Sequence, residues 1–469
     1  MNNRSTYLSQ VLERATHAAA IFSELDQATT NNIVKSVCEK AFSHRVELAK
    51  MAWEETGMGK WEDKVIKNAI ASRLVYENIK DLKTVGIISE NEETGITEIA
   101  QPIGPILAII PVTNPTSTVL FKILIALKTR NPIIISPHRR ATKSSIEAAR
   151  LCYEAALAAD APEFCIQWVE HDSREMTQAL MSHPKLALIL ATGGPSLVKS
   201  TYSSGTPAFG VGAGNIPVYV EKTADLEHAA AEIILSKAFD NGILCSSEQS
   251  LVVDQEIAPL LKAELKKRGA YFLSSEEVVQ IERVVYDKEN ASIRTSIIGK
   301  SAVDIAHLAG IVVPADTPIL IAPLKGVGEK YPLSAEILAP LLAYYEARNF
   351  NEAVKICLDL NYFGGMGHTV SIFSKDEEKI KKFSLVMDAG RILVNMPSAQ
   401  GAMGGIYNSL STSFTLGCGT YGKNITTDNI TAKHLLNIQR ICNRRVSEAY
   451  IKLMDDINKT KDNSGQRAL

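Results

Sequence analysis

From Ile96 onward, short uninterrupted apolar runs alternate with stretches of helical periodicity, and this alternation limits the fold more than any other feature of the chain. PILAIIPV (105–112) precedes a helical pattern over 116–128. PIIIS (132–136) precedes one over 141–159, and CIQWVE (165–170) and LALILAT (186–192) repeat the theme. Strands apolar on both faces and separated by helices predict a parallel sheet covered on both sides. Such sheets bind ligands beyond the carboxyl ends of their strands. The loops after Ile110, Ile135 and Ala191 are therefore the first places to look for a site.

Before this region, residues 5–83 read as helical, with apolar residues every three or four positions. The same rule gives a helix over 223–237 with Asp225 in its first turn. After Cys245 a second α/β unit is expected, with strands at 247–254, 311–314, 317–322, 338–347, 368–373 and 390–397 and a helix at 257–268. At roughly 150 residues per unit, the 469 residues suggest about three parts. We expect N-terminal helices and a first domain over 1–244, a second over 245–430, and a C-terminal segment over 431–469 packed at an oligomer interface. From about residue 456 the chain turns polar and is expected to fray.

Fifty basic residues against 52 acidic ones leave a formal charge of −2, with no tail of like charges. That balance gives no general attraction to nucleic acid or to an anionic membrane. The opening segment, MNNRSTYLSQVLERATHAAA, is amphipathic and has no apolar core of the kind a secretory signal needs. The most apolar stretch, 103–112, is too short to span a bilayer and is interrupted by Pro105. Seven cysteines are scattered, odd in number and never in a CxxC spacing. We expect a reduced, cytoplasmic protein with neither a disulfide framework nor a metal site.

Cys245 lies in FDNGILCSSEQS, between a helix and a strand, in a turn flanked by Gly and Ser. Free backbone N–H groups and thin apolar cover in such a turn can favour a thiolate and supply an oxyanion donor. Cys418, in LGCGT, has a similar context, and spacing alone does not choose between them. Asn114, in PVTNPTS, follows a strand end, where its amide can donate to a developing oxyanion or simply shape an Asn-Pro turn. ATGGPSLVKS (191–200) joins a strand to a helix through Gly193 and Gly194, a turn that lets backbone approach a phosphate at a helix N-terminus. GxGxxG is absent. SPHRRATKSS (136–145) sets His138, Arg139, Arg140 and Lys143 at another strand end, as a solvated face or as a contact for adenosine ribose or phosphate.

FDNGILCSSEQS resembles the active-site segment of CoA-acylating aldehyde dehydrogenases, and more closely the aldehyde dehydrogenase half of bifunctional aldehyde–alcohol dehydrogenases. PIGPILAIIPVTNPTSTVLFK, LKTRNPIIISPHRRA, LILATGGPSLVKSTYSSGTPAFGVGAGN, GGMGHTVSIF and the segment from RILVNMPSAQG to TLGCGTYG carry the same resemblance in family order. It implies two Rossmann-like parallel-sheet domains, one for cofactor and one catalytic, plus a small oligomerisation element. It makes Cys245 the nucleophile and Asn114 the partner of the cysteine's own N–H in the oxyanion hole. The strand end Ile109, Ile110, Pro111, Val112 and Thr113, with Gly193, Gly194, Gly212, His138 and Arg139, would hold NAD. Glu336 would hold the nicotinamide ribose, although Ile337-Leu338-Ala339 departs from the family's EKLSP. Leu416 would line the nicotinamide pocket. His368 would be either a base for CoA or a residue pinning a strand start, and Cys418 structural.

One departure carries the most information. Hydrolytic relatives place a water-activating glutamate in the loop that here reads GVGAGNIPVYV (210–220), where the matching residue is Val211. Water attack on a thioester needs a base within reach, whereas a thiol acceptor is intrinsically more nucleophilic. The expected reaction is therefore aldehyde + CoA + NAD⁺ ⇌ acyl-CoA + NADH + H⁺, with acetaldehyde as the first choice of substrate. Propionaldehyde, butyraldehyde and sulfoacetaldehyde are the alternatives, ahead of a hydrolytic enzyme or a silent scaffold. The basic cluster at 138–140 also leaves room for NADP. The resemblance further implies a homodimer or homotetramer. Since the chain ends at Leu469, without the iron-dependent half of the fused relatives, any alcohol dehydrogenase would be a separate partner.

Overall fold

The computed structural model describes residues 2–170 and 174–465. The apolar runs form an all-parallel sheet in the order Ile166–Trp168, Ile133–Ser136, Ile106–Ile109, Leu188–Thr192, Ala208–Val211. Strand alternation divides the apolar side chains between two faces. Ile106, Ala108, Ile133 and Ile135 pack under the helices Gln27–Ser43, Pro115–Lys128 and Thr142–Leu157. Leu107, Ile109, Ile134 and Ile189 pack under Asn2–Ser23 and Arg174–Met181. The first strand of this sheet sits at its centre, so strand order reverses between Ile106–Ile109 and Leu188–Thr192. That is the switch point at which open parallel sheets bind ligands, and it carries the loop to Asn114 on one side and Gly193–Gly194 on the other. Buried Lys122 ties the two strands there, its Nζ donating to the carbonyls of Ile109 and Leu190, both at 2.8 Å.

A second parallel sheet runs in the order Tyr271–Phe272, Leu320–Pro323, Leu341–Ala347, Glu248–Asp254, Ile216–Val220, Gly367–Phe373, Ala389–Val394. Its interior strand Ile216–Val220 and the helix Leu226–Ala238 packed against it precede Cys245. The boundary expected at 244/245 is thus not where one sheet gives way to the other, because the chain crosses over at residues 212–215. A third, antiparallel sheet joins Gly86–Asn91, Ile96–Pro102 and Leu436–Cys442. These elements together give the α/β class expected, with two parallel sheets and a small third element.

Three local expectations change. Residues 311–314 form no strand: Ile311 turns into the core and Val313 packs against it, while Val312 is almost fully exposed, and the strand begins only at Leu320. Asp225 is the N-cap of its helix, accepting from the His228 N–H at 3.2 Å, rather than a first-turn residue. The polar C-terminus continues as the helix Glu448–Gly465, with Tyr450, Ile451 and Leu453 exposed. Among the described residues, no helix is long and apolar enough to cross a membrane, and no cluster of His, Cys, Asp or Glu could hold a metal ion.

Candidate active site

The short linker between the two sheets brings the carboxyl edge of the first against the amino edge of the second. Gly214 in this linker is the meeting point. Its N–H donates to Glu336 Oε1 at 2.9 Å. A Cβ at Gly214 would lie 2.4 Å from the Cys245 carbonyl oxygen and 3.1 Å from His368 Cδ2, so only glycine fits. Cys245, Glu336 and His368, spread over some 120 residues of sequence, thus converge around one backbone position. Cys245 and Glu336 precede strands of the second sheet and His368 is the second residue of Gly367–Phe373, so all three lie at amino ends, where the rule about carboxyl ends gives no warning.

Cys245 follows the turn Phe239–Gly242, in which Asp240 and Asn241 hold left-handed φ values of 48° and 52°. Asp and Asn tolerate this conformation better than other side chains. Cys245 as a residue is partly exposed, whereas Cys418 is buried with its Sγ donating to the Leu416 carbonyl at 3.4 Å. Accessibility therefore separates the two cysteines that spacing could not. The expectation of a thiolate-favouring turn is reversed: burial first, then the Glu336 carboxylate and Cys418, push the Cys245 thiol up to about 12, opposed by Arg391 and by the Cys245 N–H.

Glu336 is itself pushed up to about 7 by burial, against the pull of the Gly214 N–H and the Lys237 ammonium. Below pH 7 it is neutral and exerts no field on the thiol. Glu336→Gln is therefore expected to raise the rate of Cys245 alkylation by iodoacetamide severalfold at pH 8–9, with the two curves converging below about pH 6. A Cys442→Ser background removes the exposed competing thiol. Identical curves at pH 8–9 would show that Glu336 does not act on Cys245.

His368 is fully buried. Its Nδ1 pairs with Thr369 Oγ1 at 3.0 Å, and its Nε2 has no hydrogen-bond partner in the protein. Burial and the Arg391 charge push the imidazole down to about 3, which makes it a neutral hydrogen-bonding group rather than a resident base. Leu416 is buried against Leu393 and Ala402.

At the switch point Asn114 precedes the helix Pro115–Lys128. Its Oδ1 accepts from Lys67 Nζ at 2.5 Å, and its Nδ2 donates to Thr113 Oγ1 at 3.1 Å. Lys67 also pairs with Asp240, which links Asn114 to the turn before Cys245. Across the switch point, Thr192 Oγ1 is buried with no partner, and Gly194, the N-cap of Pro195–Tyr202, has nothing within 4 Å of where a Cβ would sit. An orphan hydroxyl beside an open helix N-terminus fits a dinucleotide pyrophosphate. The helix after His138 and Arg139 is different. Two N–H groups of its first turn, of Lys143 and Ser144, are taken by the Glu55 carboxylate, each at 2.8 Å.

Sequence reasoning missed Gly214, Lys67, Asp240 and Arg391. The Arg391 guanidinium is buried and makes five hydrogen bonds, to Thr369 Oγ1, the carbonyls of Thr427, His368 and Gly417, and Asn429 Oδ1, at 2.7–3.2 Å. An arginine inside an otherwise apolar strand, RILVNMP, was the one available signal.

Comparison with known proteins adds context to this geometry. A family model described as "Aldehyde dehydrogenase family" matches residues 4–415. An aldehyde-alcohol dehydrogenase of Clostridium acetobutylicum is 47% identical over 450 residues, covering 95% of this chain and 52% of the relative. The chain spans about half the length of the first curated relatives it matches. An acetylating aldehyde dehydrogenase from Geobacillus thermoglucosidasius superposes with a TM-score of 0.93 at 45% identity, covering 95% of this chain and 98% of that one. A propionaldehyde dehydrogenase from Rhodopseudomonas palustris, solved with bound CoA and an acylated cysteine, superposes with a TM-score of 0.84 at 30% identity, covering 93% and 97%.

Proposed function

The chain belongs to the aldehyde dehydrogenase family, and from that premise we propose that it is a CoA-acylating enzyme, interconverting aldehyde, CoA and NAD⁺ with acyl-CoA, NADH and a proton. The observation that carries this reading is the loop against the nucleophile. Gly214 abuts Cys245, yet residues 210–214 contain no proton acceptor, and Val211 is buried. The neighbouring Glu336 carboxylate is held by the Gly214 N–H. Nothing in this loop activates water, so the acyl group waits for a thiol.

In this mechanism Cys245 Sγ loses its proton to the solvent side of the cleft and forms a C–S bond to the aldehyde carbon. The Cys245 N–H and Asn114 Nδ2 receive the oxyanion. NAD, when bound, supplies the hydride acceptor. Thr192, Gly193 and Gly194 would hold its pyrophosphate, and Glu336 its nicotinamide ribose. Collapse of the oxyanion with loss of hydride leaves a thioester on Cys245, which the CoA thiolate attacks, releasing Cys245 and acyl-CoA. The CoA thiol gives its proton to solvent before it attacks, and neutral His368 Nε2 offers that thiol a hydrogen-bond acceptor rather than a base. We read the cofactor as NAD rather than NADP, because the Glu55 carboxylate occupies the helix N-terminus that a 2′-phosphate would seek. Acetaldehyde is the assigned substrate, supported by the acetylating name of the Geobacillus structure.

The test is NADH formation from acetaldehyde and NAD⁺ with and without CoA. We expect steady turnover with CoA and about one NADH per active site without it, the burst that marks a trapped acyl-enzyme. Steady turnover without CoA would establish a hydrolytic enzyme instead.

A further inference from the structure

A buried ion cluster joins the N-terminal helices to the Cys245 turn and has no part in the steps above. Lys64 and Lys67 project from one face of the helix Trp61–Ala69 and are 3% and 1% exposed; Asp240 is fully buried. Both ammonium groups meet Asp240 Oδ2, Lys64 at 3.1 Å and Lys67 closer. The start of the same helix holds the turn as well: Asp240 N–H donates to Asp63 Oδ2 at 2.7 Å, and Lys60 N–H to Asp240 Oδ1 at 2.6 Å. Burying two lysines on one carboxylate is costly, and an apolar pair would fill the same space at a lower cost. What an ammonium provides and a methyl group does not is a directed donor.

Lys67 directs that donor at Asn114 Oδ1, at 2.5 Å. The consequence for the amide is one of sense. With Oδ1 fixed on a cation, Nδ2 must face the other way, because a flipped amide would set its NH₂ against the ammonium. Nδ2 carries two hydrogens. One goes to Thr113 Oγ1, and the second remains for another acceptor. One residue further along the same helix, Asn68 Oδ1 accepts from Thr116 Oγ1 at 2.8 Å, holding the first turn of Pro115–Lys128 against it. The two donors assigned to the oxyanion hole come from different sheets, and Lys67 is in contact with the chain of both.

We propose that Lys67 is a positioning residue for the oxyanion hole: it fixes which way the Asn114 amide points and, through Asp240, sets that amide in register with the turn carrying Cys245. This inference rests on the reading of Asn114 as an oxyanion donor. Lys67 touches no reacting atom in it and acts only through Asn114.

The experiment is a double-mutant cycle on kcat, with Lys67→Met, Asn114→Ala and the double variant in the full chain. Asn114→Ala is expected to lower kcat by about 10²–10³, the cost of one oxyanion donor. Lys67→Met alone should lower it about 10- to 100-fold with KM for aldehyde nearly unchanged. Added to Asn114→Ala, it should cost no more than about twofold, since residues acting as a unit are non-additive. Equal losses from Lys67→Met in both backgrounds would mean a general structural role and overturn the proposal while leaving the Asn114 reading intact. An Asn114→Ala variant with normal kcat would overturn both. Lys67→Arg, which keeps the charge on Asp240 and a donor for Asn114, carries the same cycle should Lys67→Met fail to fold. It is expected to lose severalfold in the native background and nothing further beside Asn114→Ala; equal losses again overturn the proposal.

Discussion

Cys245→Ala should lower CoA-dependent NADH formation by at least about 10⁴-fold while leaving the fold in place. Cys245 as a residue is partly exposed at the meeting of the two sheets, and removal of one sulfur atom there should cost about 1 kcal/mol. Without Sγ no covalent adduct forms, and hydride cannot leave from a free aldehyde held as its neutral carbonyl. Cys418→Ala is the matched control. That thiol is buried beneath Leu416, and its loss should lower stability and keep turnover within a few-fold. The assay also tests the covalent reading itself. CoA can add to an aldehyde in solution, so a Cys245→Ala enzyme that still turned over at a substantial rate would mean that the bound CoA thiol, and not the protein, forms the adduct from which hydride departs.

The half of this site on the first sheet was legible because its signals are local. Apolar runs such as LALILAT announce buried parallel strands, strand ends announce the ligand edge, and Gly193 and Gly194 fall directly after one such end while Asn114 closes the loop after another. The second half is built on the opposite edge of the other sheet. A search of carboxyl ends cannot find Gly214, which matters through what its missing Cβ makes room for. Lys64 and Lys67 were hidden for another reason. In WEDKVIKN they read as the solvated face of an amphipathic helix, and only tertiary structure brings Asp240, 173 residues distant from Lys67, against them. The antiparallel strands 86–102 escaped for want of an apolar run: Gly86–Asn91 is largely exposed, Ile96–Pro102 is mostly half-buried, and the latter's second partner, Leu436–Cys442, lies more than 300 residues away. The thiol's acidity was misjudged since composition of a turn does not reveal how deeply it sits or that a carboxylate faces it.

Arg391 tests whether the loop after Leu416 is held by charge or by geometry. Arg391→Met would leave five acceptors of a buried guanidinium without their donor, three of them backbone carbonyls that cannot turn away to water. Loss of one member of such a network costs roughly 3–5 kcal/mol, a large part of the ~5–15 kcal/mol that keeps a domain folded. The same change removes the cation that opposes the rise of the Cys245 pKa, so the thiol should become still harder to ionise and iodoacetamide should react more slowly at pH 9. Arg391→Lys separates the two effects. A lysine keeps the positive charge but has one nitrogen in place of three, and cannot reach the His368 and Gly417 carbonyls together with Asn429. It should therefore keep most of the alkylation rate and still lose much of the stability in a urea melt. If Arg391→Lys instead melted like the native protein, the fan of hydrogen bonds would be dispensable, and the link between the His368 strand and the Leu416–Cys418 loop would have to be electrostatic alone.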